Sequence, residues 1–277
     1  MERFSICLYG LGGQGLKSMI QDILAPIILQ ADLEVQSLPF FGGERRGALV
    51  SGYLRCGSER ISTHSFITDP DMIVIFDHQR VSITNVLKGL KPGAIILINT
   101  AFPNQFLELT KNWQVYTLNA RAISLACEIG NPKDPYMVIN SAMAGAMLKI
   151  LELVFENQFS DDSVKAVLDK ALPQKILENI LALREGKKTV IKLISNGTPT
   201  QQQLTTNKSI PYIMQPDERC TKCNLCYLFC PKRAIEVAAN NVYIIHEEEC
   251  NYCGICVNLC PLNAITIITK EGDVSYE

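Results

Sequence analysis

Cys220-Thr-Lys-Cys223-Asn-Leu-Cys226-Tyr-Leu-Phe-Cys230-Pro231 is the stretch that decides how the last part of this 277-residue chain folds. A second copy follows it and reads Cys250-Asn-Tyr-Cys253-Gly-Ile-Cys256-Val-Asn-Leu-Cys260-Pro261. Both copies have the spacing C-x2-C-x2-C-x3-C-P, in which three thiolates of one loop hold an iron–sulfur cluster and the fourth reaches the neighbouring cluster. The two copies therefore predict two [4Fe–4S] clusters.

The same rule predicts which cysteines hold each cluster. Cluster 1 is expected on Cys220, Cys223, Cys226 and Cys260. Cluster 2 is expected on Cys250, Cys253, Cys256 and Cys230. The alternatives are structural zinc sites and a disulfide framework. Zinc usually takes ligands from two separated pairs, which does not explain a triple spacing, and disulfides require an oxidising compartment.

Composition describes an ordinary globular protein, with 47% hydrophobic and 19% charged residues. The few apolar residues before Gly10 are too short for a signal peptide, and no apolar run approaches the roughly 18 residues that cross a bilayer. We therefore expect a cytoplasmic protein without a membrane partner. From residue 211 onward, 5 Lys and Arg residues stand against 9 Asp and Glu residues. Such an acidic segment argues against nucleic acid as a partner.

The N-terminus predicts a strand, a glycine loop and a helix. The strand covers residues 4–9, the loop is Gly10-Leu-Gly12-Gly13-Gln-Gly15, and the helix covers residues 16–30 with a kink at Pro26. The glycine spacing has the form of a dinucleotide fingerprint, but the second predicted strand, residues 33–38, lacks the acid that holds a ribose. The alternative is a tight turn that approaches another subunit or a phosphate-bearing ligand.

A second glycine-rich loop follows at residues 40–47 and contains Arg45 and Arg46. Guanidinium groups suit phosphate or carboxylate contacts, although a solvated turn closed by Glu44 is the alternative. Strands and helices then alternate, which predicts an α/β domain with a mostly parallel sheet covered by helices. The further strands are expected at 49–55, 72–76, 94–99 and 114–118, and the helices at 81–90, 120–129, 136–155, from about 164, and 174–185.

The chain divides into two domains and a linker. Residues 1–194 form the α/β domain, and residues 195–210 are polar enough to predict a linker. Residues 211–277 form a small α+β domain of the bacterial two-[4Fe–4S] ferredoxin type. This domain repeats itself at an offset of 30 residues, because 234–237 follows the first cysteine run as 264–267 follows the second. The segment 242–245 is predicted to pair with one of them.

The sequence predicts no catalytic residue. His64, His78 and His246 are isolated, and each is expected to be structural. Three further cysteines, Cys7, Cys56 and Cys127, lie in apolar surroundings and are predicted to be packing residues.

Several motifs together resemble the gamma domain of the 2-oxoacid:ferredoxin oxidoreductases, the pyruvate synthase family. They are Gly10-x-Gly12-Gly13-Gln14-Gly15, Gly43-Glu44-x-Arg46-Gly47, Gly130-Asn131 and Ala144-Gly145-Ala146. The tandem cysteine runs are similar to the delta subunit of the same enzymes. The whole chain thus resembles a fused gamma–delta subunit.

The resemblance implies an electron-transfer subunit of a complex that decarboxylates a 2-oxoacid oxidatively and reduces external ferredoxin. Thiamine diphosphate, Mg²⁺ and CoA would be bound by or with the alpha and beta subunits, since this chain has no Gly-Asp-Gly thiamine signature. Gly12, Gly13, Arg45 and Arg46 would then lie near the alpha–beta active site or a CoA phosphate. Pyruvate is the expected substrate, with 2-oxoglutarate, branched-chain or aryl 2-oxoacids and oxalate as alternatives. A nucleotide-dependent reductase with a ferredoxin tail and a free electron carrier are the other functions considered.

Overall fold

The computed structural model of the chain describes residues 3–40, 46–63, 65–88, 90–131, 134 and 136–194, and then 212–216, 220, 222, 224–228, 230, 233–238, 242–246, 249, 256, 264–269 and 272–273. The chain forms two compact units, residues 1–195 and 196–277. The predicted linker, 195–210, lies outside the described residues.

The first unit is built on a seven-stranded sheet in the order β2-β3-β1-β4-β5-β6-β7. The strands are β1 (Phe4–Leu11), β2 (Glu34–Phe40), β3 (Leu49–Gly57), β4 (Met72–Ile75), β5 (Ile95–Asn99), β6 (Gln114–Leu118) and β7 (Ile191–Lys192). Strands β1, β4, β5 and β6 pair in parallel, whereas β3 runs antiparallel to both β1 and β2, and β7 runs antiparallel to β6. Five strands thus point the same way, which confirms a mostly parallel sheet.

Helices connect these strands. They are α1 (Leu16–Ser18), a π-helix (Met19–Leu24), α2 (Ala25–Leu29), α3 (Ile83–Val86), a 3₁₀-helix (Pro103–Lys111), α4 (Ala120–Ala126), α5 (Asn140–Phe155), α6 (Asp161–Ala171), a 3₁₀ turn (Pro173–Lys175) and α7 (Ile176–Thr189). The Ser160 side chain caps α6 by accepting a hydrogen bond from the Ser163 N–H, and Asn119 caps α4 in the same way through Ala122.

Pro26 shapes the first helical segment differently from the predicted kink. The residues before it, Met19–Leu24, form a π-helix, and α2 continues from Ala25. Proline has no N–H, and its ring crowds the carbonyl four residues earlier, so a wider turn before it relieves that conflict. The segment 16–29 therefore stays helical throughout and keeps its apolar face against the sheet.

Both faces of the sheet are buried. Residues of β1 alternate, with Ile6 and Leu8 in the core under α5 and Cys7 in the core on the opposite face. Strand β4 is buried at all of its positions, as expected for a parallel strand covered on two sides. The sheet can therefore offer functional groups only at its edges and at the strand ends.

Several predicted helix boundaries were wrong. The helix expected at 136–155 begins at Asn140, because the Ile139 N–H donates to Gln14 O in the glycine loop and the Asp134 carbonyl accepts from Arg121. The helix expected at 81–90 covers only Ile83–Val86, and the one expected at 120–129 ends at Ala126. Strand β2 extends beyond its predicted end to Phe40. Strand β6 has the predicted bounds.

The described residues of the second unit form two small sheets. Strand β8 (Tyr212–Pro216) pairs with β11 (Ile265–Thr269), which also pairs with β12 (Gly272–Asp273). Strands β9 (Ile235–Ala238) and β10 (Val242–Ile245) form an antiparallel hairpin, which confirms the predicted pairing of 242–245. A short helix, α8 (Leu225–Leu228), lies within the first cysteine run. Within the described part of the chain, every helix is too short or too polar to cross a membrane.

Candidate functional site

The glycine loop lies where the parallel strands end. It begins within the last two residues of β1. Two backbone hydrogen bonds join it to the residues just before β3, from the Gly12 N–H to Ala48 O (2.9 Å) and from the Gly47 N–H to Gly12 O (2.8 Å). Strand ends at this edge of an α/β sheet are the usual location of ligand sites. The two predicted glycine-rich segments therefore meet at the edge where a site is expected.

The loop is closed on its other side by the start of α5. Gly15 has a left-handed φ of +82°, and an added Cβ would lie 2.9 Å from the Asn140 Cβ. The Gln14 carbonyl accepts a hydrogen bond from the Ile139 N–H (3.3 Å), and its side-chain Oε1 accepts one from the Leu11 N–H (2.9 Å). The N–H groups of Leu11, Gly12 and Gln14 are thus used inside the domain.

This arrangement differs from a dinucleotide-binding unit. In that unit the second strand lies beside the first, and its end places an acid at the ribose. Here β3 lies between β1 and β2 and runs antiparallel to both. Asn140 packs at the start of the first helix, where a pyrophosphate would need open space. The geometry agrees with the alternative interpretation of the glycines as a tight turn.

The predicted residues Gly12, Gly13 and Arg46 lie together. Gly13 has a φ of +103°, and an added Cβ would be 3.1 Å from the Arg46 Cγ and 3.3 Å from the Tyr136 Cβ. The Arg46 side chain is 61% exposed and pairs with Asp134. An exposed pair of this kind contributes at most about 1 kcal/mol, so it orients the guanidinium more than it stabilises the fold. Arg45 lies outside the described residues.

Two further arginines surround the same place. The Arg121 Nη1 donates a hydrogen bond to Asp134 O (3.1 Å), and the Arg80 guanidinium lies 5.1 Å from the centre of the Tyr136 ring. Arg80 also pairs with Asp77 at 3.3 Å. Burial lowers the pKa of Arg121, and the carboxylates of Asp134 and Asp77 oppose that effect.

We call this group the arginine edge. It consists of Arg46, Arg80, Arg121, Asp77, Asp134 and Tyr136. Its cationic groups with donors near solvent can bind an anion such as a phosphate or a carboxylate. Sequence reasoning missed all of these residues except Arg46, since they come from four separate segments. The only local signal was a turn at Asp134, which stands between Pro132-Lys133 and Pro135.

The histidines and the remaining cysteines agree with structural roles where they are described. The His78 ring packs edge-on against Phe106 at 5.2 Å, and its burial lowers the pKa of the imidazole. The Cys7 and Cys56 side chains are buried, whereas Cys127 is partly exposed. His64 lies outside the described residues.

In the second unit, four predicted cluster ligands are described. Cys220, Cys226 and Cys230 pack against a small core made of Ile235, Tyr243 and Cys256. All four cysteines are thiols, not halves of a disulfide. The Ala234 N–H donates to the Cys230 Sγ at 3.3 Å. Cys223, Cys250, Cys253 and Cys260 lie outside the described residues, so the ligand assignment stays a prediction.

The donor set fits an iron–sulfur group. Thiols from both cysteine runs meet at one apolar core, and N–H donation to a thiolate sulfur is typical of such sites. Two residues of the first run, Lys222 and Asn224, have left-handed backbone with φ of +56° and +61°. Among the described residues alone, no three His, Cys, Asp or Glu side chains form a group that could hold a metal ion.

Comparison with known proteins agrees with the division of the chain into two compact units. Residues 5–189 match the family model "Pyruvate ferredoxin/flavodoxin oxidoreductase", and residues 214–267 match "4Fe-4S dicluster domain". Pyruvate synthase subunit PorC of Methanothermobacter marburgensis is 33% identical over 62% of this chain and 88% of its own length. The pyruvate/ketoisovalerate oxidoreductases common subunit gamma of Thermococcus kodakarensis is 33% identical over 67% of this chain and 97% of its own length.

A solved structure also matches. Pyruvate oxidoreductase subunit PORC of Thermotoga maritima superposes with a TM-score of 0.55 at 26% identity, covering 69% of this chain and 99% of that one. The relatives thus correspond to the first unit, and the dicluster domain is additional to them. The chain belongs to the pyruvate ferredoxin/flavodoxin oxidoreductase family, as a gamma-type domain joined to a 4Fe–4S dicluster domain.

Proposed function

We propose that this chain is the electron-transfer subunit of a thiamine-diphosphate-dependent 2-oxoacid:ferredoxin oxidoreductase, with pyruvate as the 2-oxoacid. The observation that carries the proposal is the presence, in one chain, of a gamma-type domain and two cysteine runs. The named relatives are subunits of pyruvate synthase or of pyruvate/ketoisovalerate oxidoreductases. The carbon chemistry would take place in alpha and beta subunits that bind thiamine diphosphate and Mg²⁺.

The second unit would carry the electrons. Oxidative decarboxylation of a 2-oxoacid with CoA yields an acyl-CoA, CO₂ and two electrons, which ferredoxin accepts one at a time. Two [4Fe–4S] clusters, when bound, supply one-electron relays for this transfer. The cysteines act as ligands, and Cys230 and Cys260, each reaching from its own run to the other cluster, would link the two relays. The Ala234 N–H beside the Cys230 Sγ would stabilise the thiolate charge of that ligand.

The first unit would dock on the partner subunits through the arginine edge. Arg46 is 61% exposed and is oriented by Asp134, so its remaining donors can reach an anionic group outside the domain. Gly12 and Gly13 allow a close approach at the same place. The expected anion is a CoA phosphate or a carboxylate of a partner subunit near the alpha–beta active site.

Isolation of the native complex tests the proposal. Thiamine-containing alpha and beta chains should copurify with this chain, and the complex should reduce ferredoxin with pyruvate and CoA. Substituting Cys226→Ser in this chain should abolish ferredoxin reduction but preserve the exchange of the pyruvate carboxyl group with CO₂, which needs only the thiamine site. Purification of the chain without such partners would favour a free electron carrier. Tight binding of NAD(P)H or flavin by the chain alone would favour a nucleotide-dependent reductase.

The arginine edge is tested separately with Arg46→Ala. If the anion is CoA, the KM for CoA should rise roughly tenfold, which corresponds to the loss of one charge-assisted hydrogen bond. If the anion belongs to a partner subunit, the association with the alpha and beta subunits should weaken. Arg60→Ala is the matched control, since Arg60 is exposed in the loop after β3, at the opposite edge of the sheet. Unchanged assembly and unchanged CoA kinetics in Arg46→Ala would reject this role.

A further inference from the structure

The first cysteine run turns through an asparagine in a costly conformation. Asn224 has a left-handed φ of +61°, as does Lys222 beside it at +56°. The second run, at the internal offset of 30 residues, has Gly254 at the position that matches Asn224. Glycine adopts a left-handed backbone freely, whereas this conformation costs free energy for other residues. The cost is smaller for asparagine than for most of them. The two runs therefore differ in the residue type, and so in the backbone freedom, at this position of the sequence.

A buried tyrosine reaches this asparagine. The Tyr243 hydroxyl donates a hydrogen bond to the Asn224 Oδ1 at 2.5 Å. Tyr243 lies on β10, is 7% exposed, and its ring belongs to the core that Cys220, Cys226 and Cys230 contact. The position of Tyr243 is fixed because β10 pairs with β9, where Tyr243 lies opposite Val237. A side chain of β10 thus holds one side chain of the first cysteine run.

We propose that Tyr243 is a positioning residue for cluster 1. By holding the Asn224 side chain, it keeps the loop backbone in the left-handed turn. Alternation of left-handed and right-handed residues turns successive N–H groups to one side, and such concavities bind anions and iron–sulfur groups. This inference rests on the proposed cluster function of the second unit. It adds a residue outside the cysteine runs whose hydroxyl contacts the loop expected to hold cluster 1.

The consequence concerns the reduction potential of cluster 1. N–H donation to the sulfurs of a cluster raises its potential, because it stabilises the added negative charge of the reduced form. Without the tyrosine hydroxyl, the turn at Asn224 relaxes and those donors are lost. The potential of cluster 1 should then fall, whereas that of cluster 2, whose cysteine run has Gly254 at the matching position, should not move.

The test uses the full chain with its clusters reconstituted, and it compares Tyr243→Phe with the unchanged protein. Phenylalanine keeps the ring in the core and removes only the hydroxyl. Midpoint potentials are read from the electron paramagnetic resonance signals of the two reduced clusters. The expected result is a lower midpoint potential for cluster 1 only. A chelator should also remove its iron about fivefold faster, which corresponds to the loss of one hydrogen bond. Ile244→Val is the matched control, since Ile244 follows Tyr243 on β10 and is 43% exposed.

A second variant separates positioning from packing. In Asn224→Gly the turn needs no support, so adding Tyr243→Phe to it should change neither potential. If Tyr243→Phe alone fails to assemble clusters, the double variant should restore them. Equal shifts of both clusters, no shift, or failure of the double variant to restore the potential or assembly would overturn the inference. Failure of the unchanged chain to bind two clusters would instead overturn the proposed function.

Discussion

Gly47 is the residue on which the arginine edge depends most directly. It has a left-handed φ of +86°, and an added Cβ would lie 2.7 Å from the Tyr136 Oη. Tyr136 in turn contacts Arg80 and lies beside Gly13. A side chain at position 47 would therefore move the ring around which the arginines are arranged.

Gly47→Ala should destabilise the first unit by about 2–4 kcal/mol, the sum of left-handed strain and overpacking. Gly93→Ala is the matched control, because Gly93 has a similar φ of +80° but nothing within 4 Å of an added Cβ. It should lose only about 1–2 kcal/mol. Urea unfolding followed by the fluorescence of Trp113, the only tryptophan, measures both. Equal losses would show that Tyr136 moves away without strain.

The thiols of the first unit should react in a set order. Burial raises the pKa of Cys7 and of Cys56 from 9.0 to about 12. Only the thiolate reacts, so at a given neutral pH the reactive fraction falls roughly a thousandfold. In the folded, cluster-loaded chain, iodoacetamide should modify Cys127 first and the other two only after unfolding, as mass spectrometry can measure. Early modification of Cys56 would contradict the buried placement.

At this scale, the cysteine spacing was sufficient to predict the dicluster domain, because the residue type itself carries the chemistry. The role of Gly12, Gly13, Arg45 and Arg46 came from the resemblance and stays a prediction. Asp134, Tyr136 and Tyr243 could not be predicted, because their roles depend on partners that the fold brings close. Arg46 and Asp134, for example, are 88 residues apart in the chain.

Helices α5 and α7 cross with their backbones in close contact. An added Cβ at Gly145 would clash with the Leu183 carbonyl oxygen, and one at Gly186 would clash with the carbonyl oxygen of Ala142. Each helix thus has a glycine at the point where it contacts the backbone of the other helix. This crossing buries the inner face of α5 and fixes its first turn, which carries Asn140 to the glycine loop.

Gly145→Ala should destabilise the first unit by about 1–3 kcal/mol, because backbone atoms cannot rotate away as a side chain can. Helix propensity alone would favour alanine by about 1 kcal/mol, so the sign of the change is diagnostic. Lys149→Ala, an exposed position on the same helix, is the control and should stay within about 0.5 kcal/mol. Increased stability of Gly145→Ala in urea would mean that the helices can separate.

The positions of strands and helices in the chain could be predicted from the local sequence pattern. Which strands lie side by side in the sheet could not. Strand β6 agrees with its prediction because an apolar run between polar turns defines it. The insertion of β3 between β1 and β2 has no local signal, since it is set by pairing between distant residues such as Phe4 and Cys56. Likewise, α5 begins later than predicted because Ile139 bonds to Gln14 across the fold.

For the whole molecule, the two units should respond differently to the loss of iron. The described core of the second unit contains few residues, so metal–thiolate bonds would supply much of its stability. Chelation should therefore unfold the chain after about residue 211 and leave the first unit intact. Limited proteolysis detects the first change, and unaltered Trp113 fluorescence reports the second. Unchanged resistance of the second unit to protease after chelation would contradict this.

Strand β7 is the last strand of the first-unit sheet to be synthesised, and it covers the outer edge of β6. It pairs with β6 through Thr117 opposite Ile191 and Tyr116 opposite Lys192, so the outer edge of β6 stays open on the ribosome until residue 192 emerges. Open edges pair readily with other chains. Helices α4 to α7 are made during that interval, and their packing on the sheet must bring β7 back to close it. Until residue 192 has emerged, the edge of β6 at Tyr116 and Thr117 is consequently open to pairing with another chain, even when α4 to α7 already cover the sheet.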